Sequence, residues 1–200
     1  MPLLYVDSNF LRMPNDQPIQ IREGLESDAP ALAAFAARTF EEAFGADNRP
    51  ADIQEHLSRA FGIAQQTREL LDPNMVTLLT HQGEVLVAFA QVQRKQPPSC
   101  VMAVQPIELH RFYVDRPAHG RGIAQQLMNA VHNVARSFGG EHLWLGVWER
   151  NPRAIAFYKK SGFADCGSTV FYVGEDPQID RVMIAKIIPN SDHSGAPPGR

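Results

Sequence analysis

The segment that decides the fold is Glu108-Leu-His-Arg-Phe-Tyr-Val-Asp-Arg-Pro-Ala-His-Gly-Arg-Gly-Ile-Ala124. It begins as a strand, passes through a turn that contains Gly120 and Gly122, and continues as a helix. Glycine has no Cβ, so backbone amides can approach a ligand closely, and the first N–H groups of a helix have no partner within the helix. Together with the helix dipole and the charge of Arg121, these donors predict a pyrophosphate site. A tight β-to-α turn that binds no ligand is the alternative.

The spacing of the glycines excludes two other phosphate-binding turns. A P-loop needs Gly, four residues, then Gly-Lys-Ser/Thr, and a Rossmann fingerprint needs three glycines early in a βαβ unit. The chain contains neither pattern. The strand also lies in the middle of the chain, after a hairpin and before only one further strand–helix pair.

Upstream of this segment, the pattern predicts a strand, two helical regions and a hairpin. A short alternating strand begins at Ile19, and Ser27 is the predicted N-cap of an Ala-rich helix. A second helical stretch, bent or split, is predicted to end before Pro73. Two apolar runs between Met75 and Gln93 flank the turn His81-Gln82-Gly83-Glu84, which is typical of a hairpin.

Downstream, helices and strands alternate. Apolar residues from Ile123 to Phe138 fall at helical spacing, and Gly139 and Gly140 end that helix. Four further elements follow: strand 143–148, helix 152–160, and strands at about 163–173 and 181–188. This order predicts a mixed α/β sheet.

Two motifs resemble those of the GNAT superfamily of N-acetyltransferases. In motif A, Arg or Gln, two residues, Gly, one residue, then Gly or Ala surround the CoA pyrophosphate; the matching positions here are His119, Gly122 and Ala124. His119 departs from the pattern. If the family residue works through its backbone amide, nothing is lost; if its side chain matters, CoA affinity is weaker or depends on pH.

The segment from Trp148 to Phe163 resembles motif B of the same superfamily. Asn151 followed by Pro152 predicts a helix N-cap, and the resemblance adds a contact between Asn151 and the pantetheine arm. Both motifs together imply a GNAT fold over residues 19–188: α/β, with a mixed, mostly antiparallel sheet of about seven strands flanked by about four helices. They imply acetyl-CoA as cosubstrate and no metal, and the seven histidines show no His-x3-His spacing.

The resemblance assigns a set of cosubstrate-binding residues on these two motifs. They are Phe112, Tyr113, Val114, His119, Gly120, Arg121, Gly122, Ile123, Ala124, Asn151, Tyr158 and Lys160.

Two residues are predicted to take part in acetyl transfer. By resemblance, the Tyr158 hydroxyl lies near the CoA sulfur and stabilises the departing thiolate; its alternative is a core aromatic residue. An alkylamine with a pKa near 10.4 is mostly protonated at pH 7, which costs about 4.6 kcal/mol for direct attack. Glu108 is therefore predicted as a general base acting through water, with His110 or Tyr113 as alternatives.

The segments 171–183 and 145–151 resemble the bacterial spermidine/spermine N-acetyltransferase branch, which implies a small primary amine, such as a polyamine, as acceptor. The acidic residues that could attract a polycation are Glu41, Glu42, Asp47, Asp52 and Glu55. Acetylation of protein N-termini or lysines, and a non-catalytic acyl-CoA sensor, remain the alternatives. The resemblance is also compatible with a homodimer.

Composition sets the remaining expectations. Hydrophobic residues make up 44% of the 200 residues, and the formal net charge of -3 argues against an extended nucleic-acid surface. Two free cysteines, no apolar run of membrane-spanning length and no secretory leader predict a cytoplasmic protein with no membrane partner. Residues 1–18 are predicted as an extended arm and residues 189–200 as a disordered tail.

Overall fold

A seven-stranded sheet forms the centre of the part of the chain that the computed structural model describes, residues 17–187. Its strands are β1 (Ile19–Glu23), β2 (Met75–Gln82), β3 (Val85–Gln93), β4 (Pro106–Val114), β5 (His142–Trp148), β6 (Ala164–Val173) and β7 (Asp176–Lys186). The order across the sheet is β1-β2-β3-β4-β5-β7-β6. Of the predicted arm, only residues 17 and 18 are described, and the predicted tail lies outside the described residues.

Five α-helices flank the sheet, which makes one more than the sequence pattern predicts. They are α1 (Ala29–Phe44), α2 (Pro50–Ala60), α3 (Ile63–Leu71), α4 (Ile123–Ser137) and α5 (Pro152–Lys160). The additional helix arises because the second helical region, which the sequence predicts to be either bent or split, is split into α2 and α3. The predicted cap at Ser27 is wrong: α1 begins one residue later, with Asp28 at the N-cap, and the Asp28 carboxylate accepts the Leu25 amide at 2.8 Å.

All neighbouring strands pair antiparallel except β4 and β5, so the predicted mixed, mostly antiparallel sheet is confirmed. The predicted hairpin joins β2 to β3, and Gly83 lies in its turn with φ of 59°. The start predicted for the last strand, Arg181, is wrong, because β7 begins at Asp176. Pro177 is tolerated there because the pairing with β5 begins only at Asp180, so this end of β7 has a neighbour on one side only.

Each face of the sheet carries its own core. On one face, α4 packs through Ile123, Leu127 and Val131 against β3, β4 and β5. On the other face, α1 contributes residues such as Leu32 and Phe40 to a second cluster, which also includes Phe61, Leu79, Phe89 and Val173. Helical periodicity predicts these buried positions on α1 and α4 correctly, because a stripe at i, i+3, i+4 must face the sheet. Cys100 and Cys166 are free thiols, as predicted.

β4 and β5 separate shortly after they begin. Their parallel pairing covers only three residues of each strand, ending at Glu108 opposite Trp144. β4 then carries a bulge at His110, because Leu109 pairs with Val92 and Arg111 with Gln91, which leaves His110 without a partner on β3. The sheet is therefore open between the second halves of its two central strands. None of the helices among residues 17–187 is long and apolar enough to cross a membrane.

Candidate active site

A cavity of about 840 Å³ occupies the opening between β4 and β5. β4 lines it with residues from both faces of the sheet, since Phe112 and Val114 pack towards α4 whereas Arg111 and Tyr113 face α1 to α3. On β5 the opening runs beside Gly146, which is exposed although it lies within a central strand. The cavity thus connects the two faces of the sheet, and its volume is that of a small-molecule site.

The turn before α4 presents a row of unpaired backbone amides. Gly120 and Gly122 adopt φ of 76° and 77°, a conformation that only glycine takes without strain. The amides from Gly120 to Ala124 donate to no residue of the described chain; the next one, of Gln125, bonds to the Gly122 carbonyl at 3.1 Å. A Cβ at either glycine would meet no atom within 4 Å, so the turn is open towards solvent. Five adjacent donors at a helix N-terminus suit a diphosphate.

His119 occupies the position where the motif has Arg or Gln. Its Nε2 lies 2.8 Å from the Val114 carbonyl oxygen, so the ring joins the turn to the end of β4. The carboxylate of Asp115 is fixed in turn by two bonds from Arg38, at 2.9 and 3.0 Å. His119 therefore holds the shape of the turn with its ring.

The Val114 amide faces the opening. Asp115 donates its amide to Val87 on β3 at 2.8 Å, and successive amides along a strand point in opposite directions. The N–H of Val114 consequently points to the unpaired edge of β4, where it is free to polarise a carbonyl oxygen.

Helix α5 supplies Asn151 and Tyr158. The Asn151 side chain accepts the Ala154 amide at 3.0 Å, so it caps the helix, and it also lines the cavity. The Tyr158 ring is held edge-on by three aromatic rings at centroid distances of 5.5 to 6.4 Å, those of Phe157, Phe163 and Phe112. Its hydroxyl makes no hydrogen bond with the described residues, which leaves it available to a ligand in the cavity.

Two phenols, those of Tyr113 and Tyr158, line the cavity. Burial raises the pKa of Tyr158 above its ordinary value near 10, and the nearby Tyr113 raises it further. Burial likewise raises the pKa of Tyr113; the positive charge of Arg111 lowers this pKa in part, and the negative charge of Asp180 raises it further. Both phenols are therefore neutral donors at physiological pH. Tyr113 is held in place by stacking on Phe89, with centroids 5.4 Å apart.

Glu108 lies beside the parallel pairing of β4 with β5 and does not line the cavity among the described residues. Its carboxylate accepts a bond from Gln93 and lies 3.6 Å from the Lys95 Nζ and 3.8 Å from the His110 Nδ1. Burial raises the pKa of Glu108, but the His110 and Lys95 partners outweigh burial and hold it below its ordinary value. His110 does line the cavity.

The wall formed by α1, α2 and α3 is aromatic and carries paired charges. The Arg111 guanidinium lies 2.5 Å from the Glu69 carboxylate and 4.7 Å from the centre of the Phe61 ring. His56 stacks on Phe40 at 4.5 Å, and burial together with the charges of Arg59 and Arg111 lowers its pKa to about 4, so its ring is neutral.

The cavity contains seven of the predicted cosubstrate-binding and catalytic residues and leaves six outside. Those that line it are Phe112, Tyr113, Val114, His119, Ala124, Asn151 and Tyr158. Those that do not are Glu108, Gly120, Arg121, Gly122, Ile123 and Lys160. The turn residues among them would act through the amides described above, and the Ile123 side chain belongs to the core. Lys160 is exposed at the far end of α5.

Sequence reasoning missed Asp180 on β7, which lines the cavity next to Gly146. It also missed two basic cavity residues, Arg116 and Arg150, the second of which lies over the Trp148 ring. Arg153, which the sequence places beside Lys160 as a candidate contact to the nucleotide phosphates, does line the cavity. Of the five acidic residues expected to attract a polycation, Glu42 and Asp47 line the cavity, whereas Asp52 is paired with Arg49 at 2.6 Å. Among residues 17–187 no group of three His, Cys, Asp or Glu side chains could hold a metal ion.

Comparison with known proteins gives consistent matches. The acetyltransferase (GNAT) family matches residues 33–163. An uncharacterized N-acetyltransferase of Mycobacterium tuberculosis is 32% identical over 162 residues, which cover 81% of this chain and 99% of that protein. A spermine/spermidine N(1)-acetyltransferase of Bacillus subtilis is 28% identical over 64 residues, 32% of this chain and 42% of that protein. The crystal structure of the PaiA N-acetyltransferase from Thermoplasma acidophilum in complex with coenzyme A superposes with a TM-score of 0.69 over 84% of this chain and 99% of that chain, at 17% identity.

Proposed function

The chain belongs to the GNAT family of acetyltransferases and uses acetyl-CoA as cosubstrate, and we propose that it acetylates the primary amine of a small molecule by direct attack in a ternary complex. One observation carries this proposal. The opening between β4 and β5 has a turn with five free amides at one end and a cavity that reaches the opposite face of the sheet at the other. A thioester and an amine can thus meet from opposite sides.

The residues of the α4 and α5 side hold the cosubstrate in this proposal. The free amides from Gly120 to Ala124 bind the diphosphate with the positive end of the α4 dipole, and Arg116 and Arg153 add charge nearby. Asn151 stands at the mouth of the opening, where it meets the pantetheine arm. These groups fit an anionic ligand because backbone donors and two cations lie on the α4 and α5 side of the opening.

The transfer itself depends on two donors in the opening. The amide of Val114 polarises the thioester carbonyl and stabilises the negative charge that develops on its oxygen. The Tyr158 hydroxyl donates to the sulfur as the carbon–sulfur bond breaks. Because burial raises the pKa of Tyr158, this phenol acts chiefly as a hydrogen-bond donor and releases its proton, if at all, late in the step.

The acceptor side favours a small molecule over a protein. The segment between α1 and α2 is tied to the β6–β7 hairpin, because Gln178 bonds to Asn48 at 2.5 Å. The Gly174 turn also packs against Asp52, where a Cβ at Gly174 would lie 2.7 Å from the Asp52 Cα. These contacts connect the two walls of the acceptor side and narrow the access to it, whereas a peptide substrate needs an open groove.

A polyamine is the acceptor class that we propose within this group. Asp47 and Asp180 both line the cavity without an ion pair to the described residues, and two separated carboxylates suit a molecule with two or more ammonium groups. The short match to the Bacillus subtilis spermine/spermidine enzyme supports the same class.

The test is thiol release from acetyl-CoA over a panel of spermidine, spermine, aminoglycosides, amino acids and peptides, with calorimetry of coenzyme A alongside. We expect binding of coenzyme A and turnover of a polyamine or another small amine. Turnover of peptides alone would replace the acceptor with a protein. Binding of coenzyme A without turnover of any amine would identify a sensor, and absence of binding would refute the proposal altogether.

A further inference from the structure

Asp180, like Asp47, lines the cavity without a partner among the described residues, in contrast to the carboxylates of Glu69 and of Glu108 on β4. Glu69 is bonded to Arg111 at 2.5 Å, and Glu108 is held by Gln93 and Lys95. Asp180 makes no side-chain hydrogen bond or ion pair with any residue of the described range, although it is only partly exposed. A partly buried carboxylate without a protein partner has lost part of its solvation, and its oxygens are open to a ligand in the cavity.

The position of Asp180 is fixed by the sheet. It pairs with Trp148 at the last residue of β5 and with Thr169 on β6, so both its neighbours hold the backbone. Its side chain leans back over Gly146: a Cβ built on that glycine would lie 3.1 Å from the Asp180 Oδ2 and 3.6 Å from its Cβ. Because Gly146 has no side chain, the carboxylate reaches the opening between β4 and β5.

The same opening contains both phenols. Asp180, Tyr113 and Tyr158 all line this cavity, and the charge of Asp180 is close enough to raise the pKa of Tyr113. From the side of the sheet where α1 to α3 lie, an amine that enters between Tyr113 and Asp180 meets the thioester held near Tyr158. The carboxylate thus stands on the side from which the acceptor arrives.

We propose that Asp180 is the general base of acetyl transfer, accepting the proton from the attacking nitrogen. This inference rests on the proposed function of the site. The ammonium substrate first loses one proton to solvent, which frees the lone pair, and the neutral nitrogen then forms a bond to the thioester carbonyl carbon. Its remaining N–H becomes acidic as the lone pair is committed to that bond, and Asp180 takes this second proton and returns it to solvent. When the carbon–sulfur bond breaks, the electron pair stays on sulfur, and the thiolate gains one proton from solvent with the help of Tyr158, so that one proton is released overall.

The electrostatic surroundings suit this role. Burial alone raises the pKa of Asp180 to about 6, which keeps the group ionised at neutral pH but makes it a stronger base than an ordinary carboxylate. The groups that face it are uncharged on every side: Gly146 and Trp148 on β5, Thr169 on β6, and the neutral phenol of Tyr113 on β4. The other ionisable groups that line the cavity on the acceptor side are Glu42, Asp47, His56, Arg59, Glu69, Arg111, Arg150 and Tyr172.

The test compares wild type with Asp180→Asn, which removes the charge with almost no change in shape. The matched control is Glu149→Gln, because Glu149 is an exposed carboxylate at the end of β5 that does not line the cavity within the described chain. With the best acceptor of the panel, chosen to have an amine pKa above 9, we expect kcat at pH 7.5 to fall roughly 100- to 1000-fold in Asp180→Asn and to stay unchanged in Glu149→Gln. The affinity for acetyl-CoA should stay within twofold of the wild-type value in both variants.

The pH profile separates a base from a merely structural carboxylate. The wild-type rate should bend near pH 6, and the bend should be absent from the residual rate of Asp180→Asn and present in Asp180→Glu. A wild-type profile without a bend between pH 5 and 7, or an Asp180→Asn variant with kcat within threefold of wild type, would overturn the assignment while leaving the acetyltransferase function intact. If the wild type itself releases no thiol with any amine, the proposed function has failed instead.

Discussion

Two glycines at opposite ends of α4 allow a direct test of the diphosphate site. Gly122 at the N-terminus and Gly139 after the C-terminus adopt φ of 77° and 75°, and a Cβ at either would meet no atom within 4 Å. Alanine at either position therefore introduces the same left-handed strain, about 1 kcal/mol, and no clash. Both variants should lose roughly 2 to 4 °C of thermal stability. They differ only in what lies beside them.

The affinity for the cosubstrate should separate the two variants. Gly122 lies within the five free amides from Gly120 to Ala124, and either a methyl group there or a relaxed φ displaces donors from the diphosphate. A hydrogen bond to a charged group contributes about 1.5 to 3 kcal/mol. Loss of one such bond in Gly122→Ala should weaken coenzyme A binding roughly 10- to 100-fold. Gly139→Ala should bind as wild type does.

Isothermal calorimetry with coenzyme A and kinetics with acetyl-pantetheine measure this difference. Acetyl-pantetheine lacks the diphosphate, so its KM should be the same for wild type, Gly122→Ala and Gly139→Ala. Equal coenzyme A affinity of the two variants would refute the assignment of the diphosphate to this turn. A higher KM for acetyl-pantetheine in Gly122→Ala alone would show instead that the substitution disturbs the binding of the pantetheine arm.

Three further predictions concern the opening and its acceptor side. Tyr158→Phe should lower kcat roughly 10- to 100-fold at unchanged coenzyme A affinity, since only the donor to sulfur is lost; turnover equal to wild type from pH 6 to 9 would contradict that role. Burial raises the pKa of Asp180 to about 6, so the folded state binds this proton more tightly than the unfolded chain, and stability falls as the pH rises from about 4 to 6. This pKa shift corresponds to a loss of about 3 kcal/mol in the free energy of unfolding, and water in the cavity reduces that loss by screening the charge. In urea unfolding, Asp180→Asn should therefore be more stable than wild type by about 2 kcal/mol at pH 8 and by about half of that at pH 5. Equal stability of the two proteins at pH 8 would exclude a buried charge at this position. Gly174→Ala places a Cβ 2.7 Å from the Asp52 Cα at φ of 60°, so it should cost about 2 kcal/mol in urea unfolding and raise the KM of the acceptor more than that of acetyl-CoA, whereas proportional changes in both would argue against closure at this contact.

Local sequence signals predict the elements that depend on neighbours in the chain. The β2–β3 hairpin follows from Gly83 between two apolar runs, and the capped start of α5 follows from Asn151 and Pro152. Ser27 was the wrong cap because Asp28, one residue later, bonds both to the Leu25 amide and to Arg22, at 2.7 and 2.8 Å. The start of α1 therefore depends on a partner of Asp28 on β1, which the helix signal does not include.

The candidate base illustrates what a sequence pattern cannot reach. Glu108 lies on the motif A strand and is visible as an acidic residue near the motif, whereas Asp180 lies about 70 residues further along the chain. Only the insertion of β7 between β5 and β6 brings Asp180 beside Gly146. Pro177 also obscured the start of β7, because a proline argues against a central strand unless the strand has a neighbour on one side only. Non-local strand order therefore limits the prediction more than residue type does.

The bulge at His110 explains why the opening lies between β4 and β5. Parallel pairing ends at Glu108, and the extra residue two positions later bends β4 and increases its twist, so the strand turns away from β5. Beyond the bulge, successive residues point to opposite faces as in any strand, with Phe112 beside α5 and Tyr113 stacked on Phe89. The backbone donors left unpaired by this separation are those that a developing oxyanion needs. One inserted residue thus accounts for the opening, for the free Val114 amide beside it and for the connection between the two faces of the sheet on which the proposed role of Asp180 depends.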